Sequence, residues 1–216
     1  MKKFELTTEF ITNAFGKKLF RIKALVEFGD VKAGELGGYV EKEENVSQDG
    51  NAWIYGNARI SGNAWVSGNA RIYGNAWVSG NAWISGNAWI YGNAWIYGNA
   101  RISGDAEVSG NARISGNARF SGDAWVSGDA EVSDDAEVSG DADYALVQGF
   151  GTEFRCTTFY RGKNKKIMVN CGCFHGDLEG FRKQVKETRN GKIAKEYLMI
   201  ADLMEYHFAS EDSGDE

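Results

Sequence analysis

The side chains able to do covalent or metal chemistry crowd into one short stretch near the C-terminus. Cys171-Gly172-Cys173-Phe174-His175 sets two thiols and an imidazole at alternate positions, and Cys156 falls on the strand expected beside it. In an extended chain, alternation carries Cys171, Cys173 and His175 to one side, where three thiolates and an imidazole would suit tetrahedral zinc. The spacing is not the Cys-x2-Cys of the common zinc knuckle, however, and small buried cysteines are ordinary core residues. No metal and no cofactor is therefore expected, and Cys156, Cys171, Cys173 and His175 stand only as weak metal candidates. A nucleophilic Cys156 or Cys171 with His175 as base needs an orienting carboxylate, and only Asp177 is evident for that role. Lys163, Lys165 and Lys166, with Tyr160 and Arg161, form a small basic aromatic cluster that could touch phosphate but reads more simply as a solvated hairpin tip. Arg189-Asn190-Gly191-Lys192-Ile193 lacks the upstream Gly and the following hydroxyl of a phosphate-binding loop. No catalytic residue is assigned.

Composition limits what can hold these groups in place. The chain has 216 residues, 43% of them hydrophobic, with a net charge of −6, 28 Gly and no Pro. That is enough apolar material for a core, and the missing proline excludes collagen. No run approaches the ~18 apolar residues of a membrane helix, and Met1-Lys2-Lys3-Phe4 lacks the apolar stretch of a signal peptide. Three cysteines, all beyond residue 150, do not make a disulfide framework and suit a reducing compartment. A cytoplasmic protein with no membrane partner is expected.

The middle of the chain is a repeat. From Asn51 to Gly140 it reads as fifteen hexads of Asn/Asp-Ala-X-Ile/Val-Ser/Tyr-Gly, in which Phe120 is the one exception at position four and Asp134 the one at position six. A Gly every sixth residue excludes helix, and each Gly-Asn or Gly-Asp pair marks a turn, so each hexad predicts one short strand and one corner. The unit resembles the hexapeptide repeat of left-handed parallel β-helices. In that family three hexads make a triangular coil, which implies about five coils here, a rod roughly 24 Å long.

Alternation assigns Ile/Val to the interior and Ala to the tight corner, and leaves positions three and five in solvent. Residues three hexads apart then stack. One face carries Trp53, Arg71, Trp89, Glu107 and Trp125; a second Arg59, Trp77, Trp95, Arg113 and Glu131; a third Trp65, Trp83, Arg101, Arg119 and Glu137. Trp over Arg at one-coil spacing permits cation-π contact. These columns could serve only to stabilise the rod. The functional reading makes Trp53, Trp65, Trp77, Trp83, Trp89, Trp95, Arg59, Arg71, Tyr91 and Tyr97 a binding surface. Residues 51–104 hold three Arg and no acid, whereas 105–146 hold two Arg and ten Asp/Glu. Direct nucleic-acid binding is disfavoured by this balance.

Residues 1–50 carry short alternating apolar runs and predict a β-hairpin cap, needed because an open coil end exposes unpaired strand edges. The hexad region proper is assigned to 51–144. Residues 145–209 predict a small α+β domain: a hairpin around Gly162-Lys163-Asn164-Lys165, then helices starting after Asp177 and after Asn190-Gly191. Residues 210–216 form an acidic tail expected to be disordered.

Phe28-Gly29-Asp30-Val31-Lys32-Ala33-Gly34-Glu35-Leu36-Gly37-Gly38, then Gly-Asn-Ala hexads, then Cys171-Gly172-Cys173-Phe174-His175-Gly176 with Phe181 and Tyr197 resemble phage and prophage hexapeptide-repeat proteins of the YdcK type. The resemblance implies a phage-linked origin and a β-helix but no established reaction; the transferase label some of these proteins carry rests on fold alone. Acyltransferases of the wider hexapeptide class use a histidine base near a coil, and the carbonic anhydrases need three histidines. Asn51 to Gly140 contains no His, Cys or Lys. The expected function is a non-catalytic, phage-encoded scaffold that engages a host macromolecule, expected to be a protein, and self-associates as a homo-oligomer, with inhibition of a bacterial defence system as its role. An acyltransferase-like enzyme and a structural virion component are the alternatives.

Overall fold

A computed structural model describes residues 2–209; the acidic tail lies outside the described residues. Three antiparallel strands come first, β1 (Phe4–Thr12), β2 (Lys18–Ala24) and β3 (Leu36–Val40). Fifteen two-residue strands follow, β4 to β18, one at positions three and four of each hexad from Trp53–Ile54 to Glu137–Val138. The chain ends in β19 (Tyr144–Val147), β20 (Thr157–Arg161), β21 (Ile167–Cys171) and β22 (Phe174–Asp177), with helices α1 (Leu178–Thr188) and α2 (Gly191–His207).

Two-residue strands have no stability alone; here each gains it from the coil above and below. Position three donates its N–H to the next coil, as do positions five and one. Trp95 N–H bonds Ala112 O at 2.8 Å, Tyr97 N–H bonds Ile114 O at 2.9 Å, and Asn99 N–H bonds Gly116 O at 2.8 Å. The result is a β-solenoid with three parallel sheets, in which residues eighteen apart pair as the hexad count requires. All three expected columns form: Trp53–Arg71–Trp89–Glu107–Trp125, Arg59–Trp77–Trp95–Arg113–Glu131 and Trp65–Trp83–Arg101–Arg119–Glu137. The solenoid runs to about six turns rather than five, because β3 and Val46 add a lead-in coil through parallel pairing of Tyr39 with Arg59 and of Val46 with Val66. Every Ala at position two and every aliphatic residue at position four is buried, Phe120 included.

The corners explain the invariant glycines. From Gly56 to Gly128, φ at position six stays between +60° and +74°. A Cβ on Gly98 would also lie 3.0 Å from both the N and the O of Gly116 one coil on. Glycine is therefore required twice, by conformation and by stacking. Beside each corner runs a column of asparagines whose amides bond along the rod, as in Asn75 Nδ2 to Asn93 Oδ1 at 3.2 Å, Asn93 to Asn111 at 3.0 Å and Asn111 to Asp129 at 2.8 Å. Asparagine can continue such a row because it both donates and accepts; aspartate only accepts and ends it. A second row begins where Lys42 Nζ donates to Asn63 Oδ1 and ends where Asn117 donates to Asp135.

Both open ends are covered. At the N-terminal end Phe4, Ile22, Val31 and Val40 join the solenoid core, and Phe4 and Phe28 pack edge-on against Trp53 at 6.0 and 5.4 Å. Lys3 lays its ammonium over the Phe28 ring and donates to Ala52 O at 3.1 Å. At the other end the antiparallel sheet β19-β20-β21-β22 turns Tyr160, Tyr144, Leu146 and Met168 toward the solenoid core. Its other face sets Phe159 and Val169 against Phe181, Val185 and Tyr197 of the helices. Thr158 Oγ1 takes the Glu131 N–H at 3.1 Å, and Asp135 O takes the Lys163 N–H at 3.0 Å, so the last coil's free edge is partly paired.

Gly98→Ala should cost about 2 to 4 kcal/mol in chemical denaturation, the sum of a left-handed non-glycine residue and a stacked clash. Gly16→Ala, at φ +76° in the β1–β2 turn with open space around it, should cost only about 1 kcal/mol. Equal costs would mean that stacking contributes nothing. A pH effect follows from Lys3, whose amine is pushed down to about 8 by burial, against a smaller opposing pull from Asp49. Between pH 8 and the unfolded value of about 10.4, the unfolded chain holds a proton the folded one has released, so this group makes stability rise with pH across that window. Denaturation at pH 7, 8.5 and 10 should show a positive slope in the wild type relative to Lys3→Met. Parallel profiles would exclude it.

Candidate functional site

The outward columns hold most of the aromatic surface. Trp65, Trp83, Trp89, Trp95 and Trp125 are each 45 to 54% exposed; the strands of Trp83, Trp89 and Trp95 are paired on both sides, whereas Trp125 lies on an edge strand. Arginines stack on three of them: Arg71 on Trp89 at 5.7 Å, Arg101 on Trp83 and Arg113 on Trp95 at 5.8 Å. The rings are thereby held upright, and the expected Trp–Arg contacts form. Arg71 is also tied to Asp30 of the lead-in at 2.5 Å.

Trp53 departs from the expectation. It occupies the outward register yet is 0% exposed, because the N-terminal segment folds back over the first coil and seats Phe4 and Phe28 on the indole. It belongs to the core and cannot form part of an exposed surface, and its indole nitrogen has no hydrogen-bond partner among the described residues. Trp77 is half-buried: its Nε1 donates to Ser61 Oγ at 3.1 Å and its ring lies 6.3 Å from Phe15 of the hairpin turn. Arg59 is half-buried. Phe15, Trp77, Trp95, Tyr97 and Arg113 border a groove of about 420 Å3. Tyr91 donates to Glu107, which raises its phenol above the ordinary value. Burial pushes Tyr55, stacked 4.4 Å from Tyr73, up to about 12.

The cysteines are not brought together. Gly172 and Cys173 form the two-residue turn between β21 and β22, with Cys171 paired to Phe174 across it. The extended run that would have aligned Cys171, Cys173 and His175 is broken there. Cys173 is exposed, and burial raises the Cys156 thiol. Cys171 Sγ accepts from Thr157 Oγ1 at 3.1 Å. Among the described residues no group of three His, Cys, Asp or Glu is placed to hold a metal. The basic aromatic cluster is dispersed too: alternation along β20 buries Tyr160 at the solenoid end, Arg161 faces Asp143 at 3.5 Å and Lys166 faces Asp177 at 3.6 Å.

His175 has a partner that local sequence reading does not suggest. Asp177 caps α1, accepting the Gly180 N–H at 2.9 Å. The carboxylate that meets His175 Nε2 is Asp134, forty-one residues earlier. On the other side of the ring, Nδ1 meets Asn170 Oδ1, whose orientation is set by Asn170 Nδ2 donating to Glu131 O at 2.7 Å. Ser133 Oγ lies 3.5 Å from Nδ1. One sequence signal for this junction exists: Asp134 is the single non-glycine in the corner column, at φ +57°. Asp134 sits in the last coil, where no further coil stacks above the corner, as is also true of Gly128. The ring, Ser133, Asn170 and Arg113 face a groove of about 290 Å3.

Stacked parallel coils with glycine corners and outward aromatic columns define a β-solenoid. Four segments, residues 52–68, 70–86, 94–110 and 112–128, match the family model described as YdcK Beta solenoid repeat, so the chain carries YdcK-type solenoid repeats. Each segment covers nearly one turn, and all lie within the hexads, so the match speaks for the rod and not for its caps. No curated protein matches the chain.

A double-mutant cycle on Asp134→Gly and His175→Ala should return a coupling of about 0.5 to 1 kcal/mol, the range for a partly exposed pair. Additive single effects would show that the two side chains do not hold the cap to the coil.

Proposed function

We propose that this chain is a non-catalytic binding scaffold: a left-handed solenoid, phage-encoded and acting in the bacterial cytoplasm, whose tryptophan and arginine columns engage a host protein. The observation that carries the reading is the set of five half-exposed tryptophans spread over the three sheets, Trp65 and Trp83 on one, Trp89 and Trp125 on another and Trp95 on the third. Trp and Arg dominate the energetics of protein interfaces, and rings already held by stacked guanidiniums lose little freedom on binding. The partner's chemistry follows from charge. The coils from 51 to 104 carry Arg59, Arg71 and Arg101 and no acid of their own, Arg71 alone being paired among the described residues, with Asp30 of the lead-in, so they favour an acidic surface; the acidic late coils repel it and set the direction in which it lies. Self-association through an outward face, and inhibition of a defence system by occupying the host protein, complete the proposal. The phage and defence elements rest on the resemblance to prophage hexapeptide-repeat proteins.

An acyltransferase-like enzyme draws on one observation, the Asp134–His175 pair beside a groove. Both ring nitrogens already have protein partners, Asp134 at Nε2 and Asn170 Oδ1 at Nδ1. Acyl-CoA turnover lost on changing His175 would favour that enzyme instead.

Replacing Trp65, Trp83 and Trp89 with Ser should leave the circular dichroism spectrum and thermal midpoint close to wild type. The same change should weaken, by about 100-fold or more, the host protein that the wild-type chain retains from lysate. Equal retention by the triple variant would sink the proposal, as would loss of the fold at these exposed positions.

A further inference from the structure

A cavity of about 280 Å3 lies in the C-terminal cap, between the β21–β22 turn, residues 152–155 and the two helices. Phe174, Phe181 and Val185 form its apolar wall, Thr152, Gln184 and Thr188 add polar lining, and it also carries two guanidiniums, Arg155 and Arg189, against one carboxylate, Glu153. Neither is neutralised at close range. Arg155 stands 3.9 Å from Glu153 with both side chains more than half exposed, a pairing that contributes little. Arg189 makes no side-chain ion pair among the described residues. Two guanidiniums against a single loosely held carboxylate leave this cavity with a net positive rim in a chain of net charge −6.

Gly172 turns the hairpin at φ +62°, and a Cβ on it would lie 2.8 Å from Arg155 Nη1. The glycine that makes the turn also leaves the space the guanidinium occupies. Gly151, at φ +74°, lets the preceding loop close on Tyr197, whose hydroxyl reaches Phe150 O at 3.4 Å. Arg155, Arg189 and Tyr197 line the same cavity, and burial holds the Tyr197 phenol above its ordinary range.

We propose that this cavity binds a small organic carboxylate with an apolar body, its headgroup between Arg155 and Arg189 and its body against Phe174, Phe181 and Val185. The volume admits roughly one substituted ring. A planar carboxylate matches the paired donors of guanidinium, and the chain's negative field disfavours a dianion. The site lies in the cap and depends on nothing the solenoid faces do.

Calorimetric titration of the full chain with benzoate tests it. Saturable binding is expected, with the Kd rising at least about 10-fold in Arg155→Met and in Arg189→Met. It should stay unchanged in Lys165→Met, which removes a cation elsewhere on the cap. The proposal is overturned if benzoate shows no saturable binding at millimolar concentration or binds independently of both arginines. It is equally overturned if benzyl alcohol or phenyl phosphate binds as tightly as benzoate.

Discussion

The structure depends on the close approach of successive corners. Every sixth residue must take a left-handed φ while its backbone lies within van der Waals reach of the same residue one coil on, a combination only glycine meets without strain. Once that is satisfied the rest follows with little freedom. The aliphatic residue two places before the corner points inward, the alanine two places after it fits under the neighbouring face, and the strand between donates to the next coil. Fifteen strands of two residues thus act as three sheets, because coil-to-coil pairing supplies what strand length does not.

This regularity is why the rod is so legible in sequence. The eighteen-residue register is hexad arithmetic, and each expected column of Trp, Arg and Glu is found. What could not be read are contacts between distant segments. The pattern at Trp53 is the same as at Trp89, yet one indole is core and the other surface. The difference is made by Phe4 and Phe28, residues with no hexad phase to betray where they land. His175 fails for the same reason, since its carboxylate lies on the last coil rather than nearby in sequence. Asp134 was visible as a break in the glycine column, but a break alone does not say what the new side chain reaches. Tyr160, which looked like part of a basic tip, is turned inward by simple strand alternation once the start of β20 is fixed at Thr157.

The two caps solve one physical problem with different material. A stack of coils leaves hydrogen-bonding edges and apolar cross-sections at both ends, a template for end-to-end growth. At the start, a long hairpin and Trp53 close the cross-section. At the finish, Tyr160 plugs it and Thr158, Lys163 and Asn170 take up polar groups of the last coil. The outward columns between them pack mostly on themselves, Arg on Trp, and meet the N-terminal cap at Trp53, at Arg71 through Asp30 and at Trp77 through Phe15.

The asparagine rows impose a quantum on the length of such a protein. All their amides point from the start of the rod toward its end, with a lysine at one terminus of a row and a carboxylate at the other. Adding or deleting one hexad would keep every corner intact but rotate everything downstream by one face, so the terminal sheet would meet the wrong column and the two ends would lose their mutual orientation. Only steps of eighteen residues preserve that phase. A change of eighteen residues would lengthen or shorten the rod by one turn and leave the two ends facing as they do now.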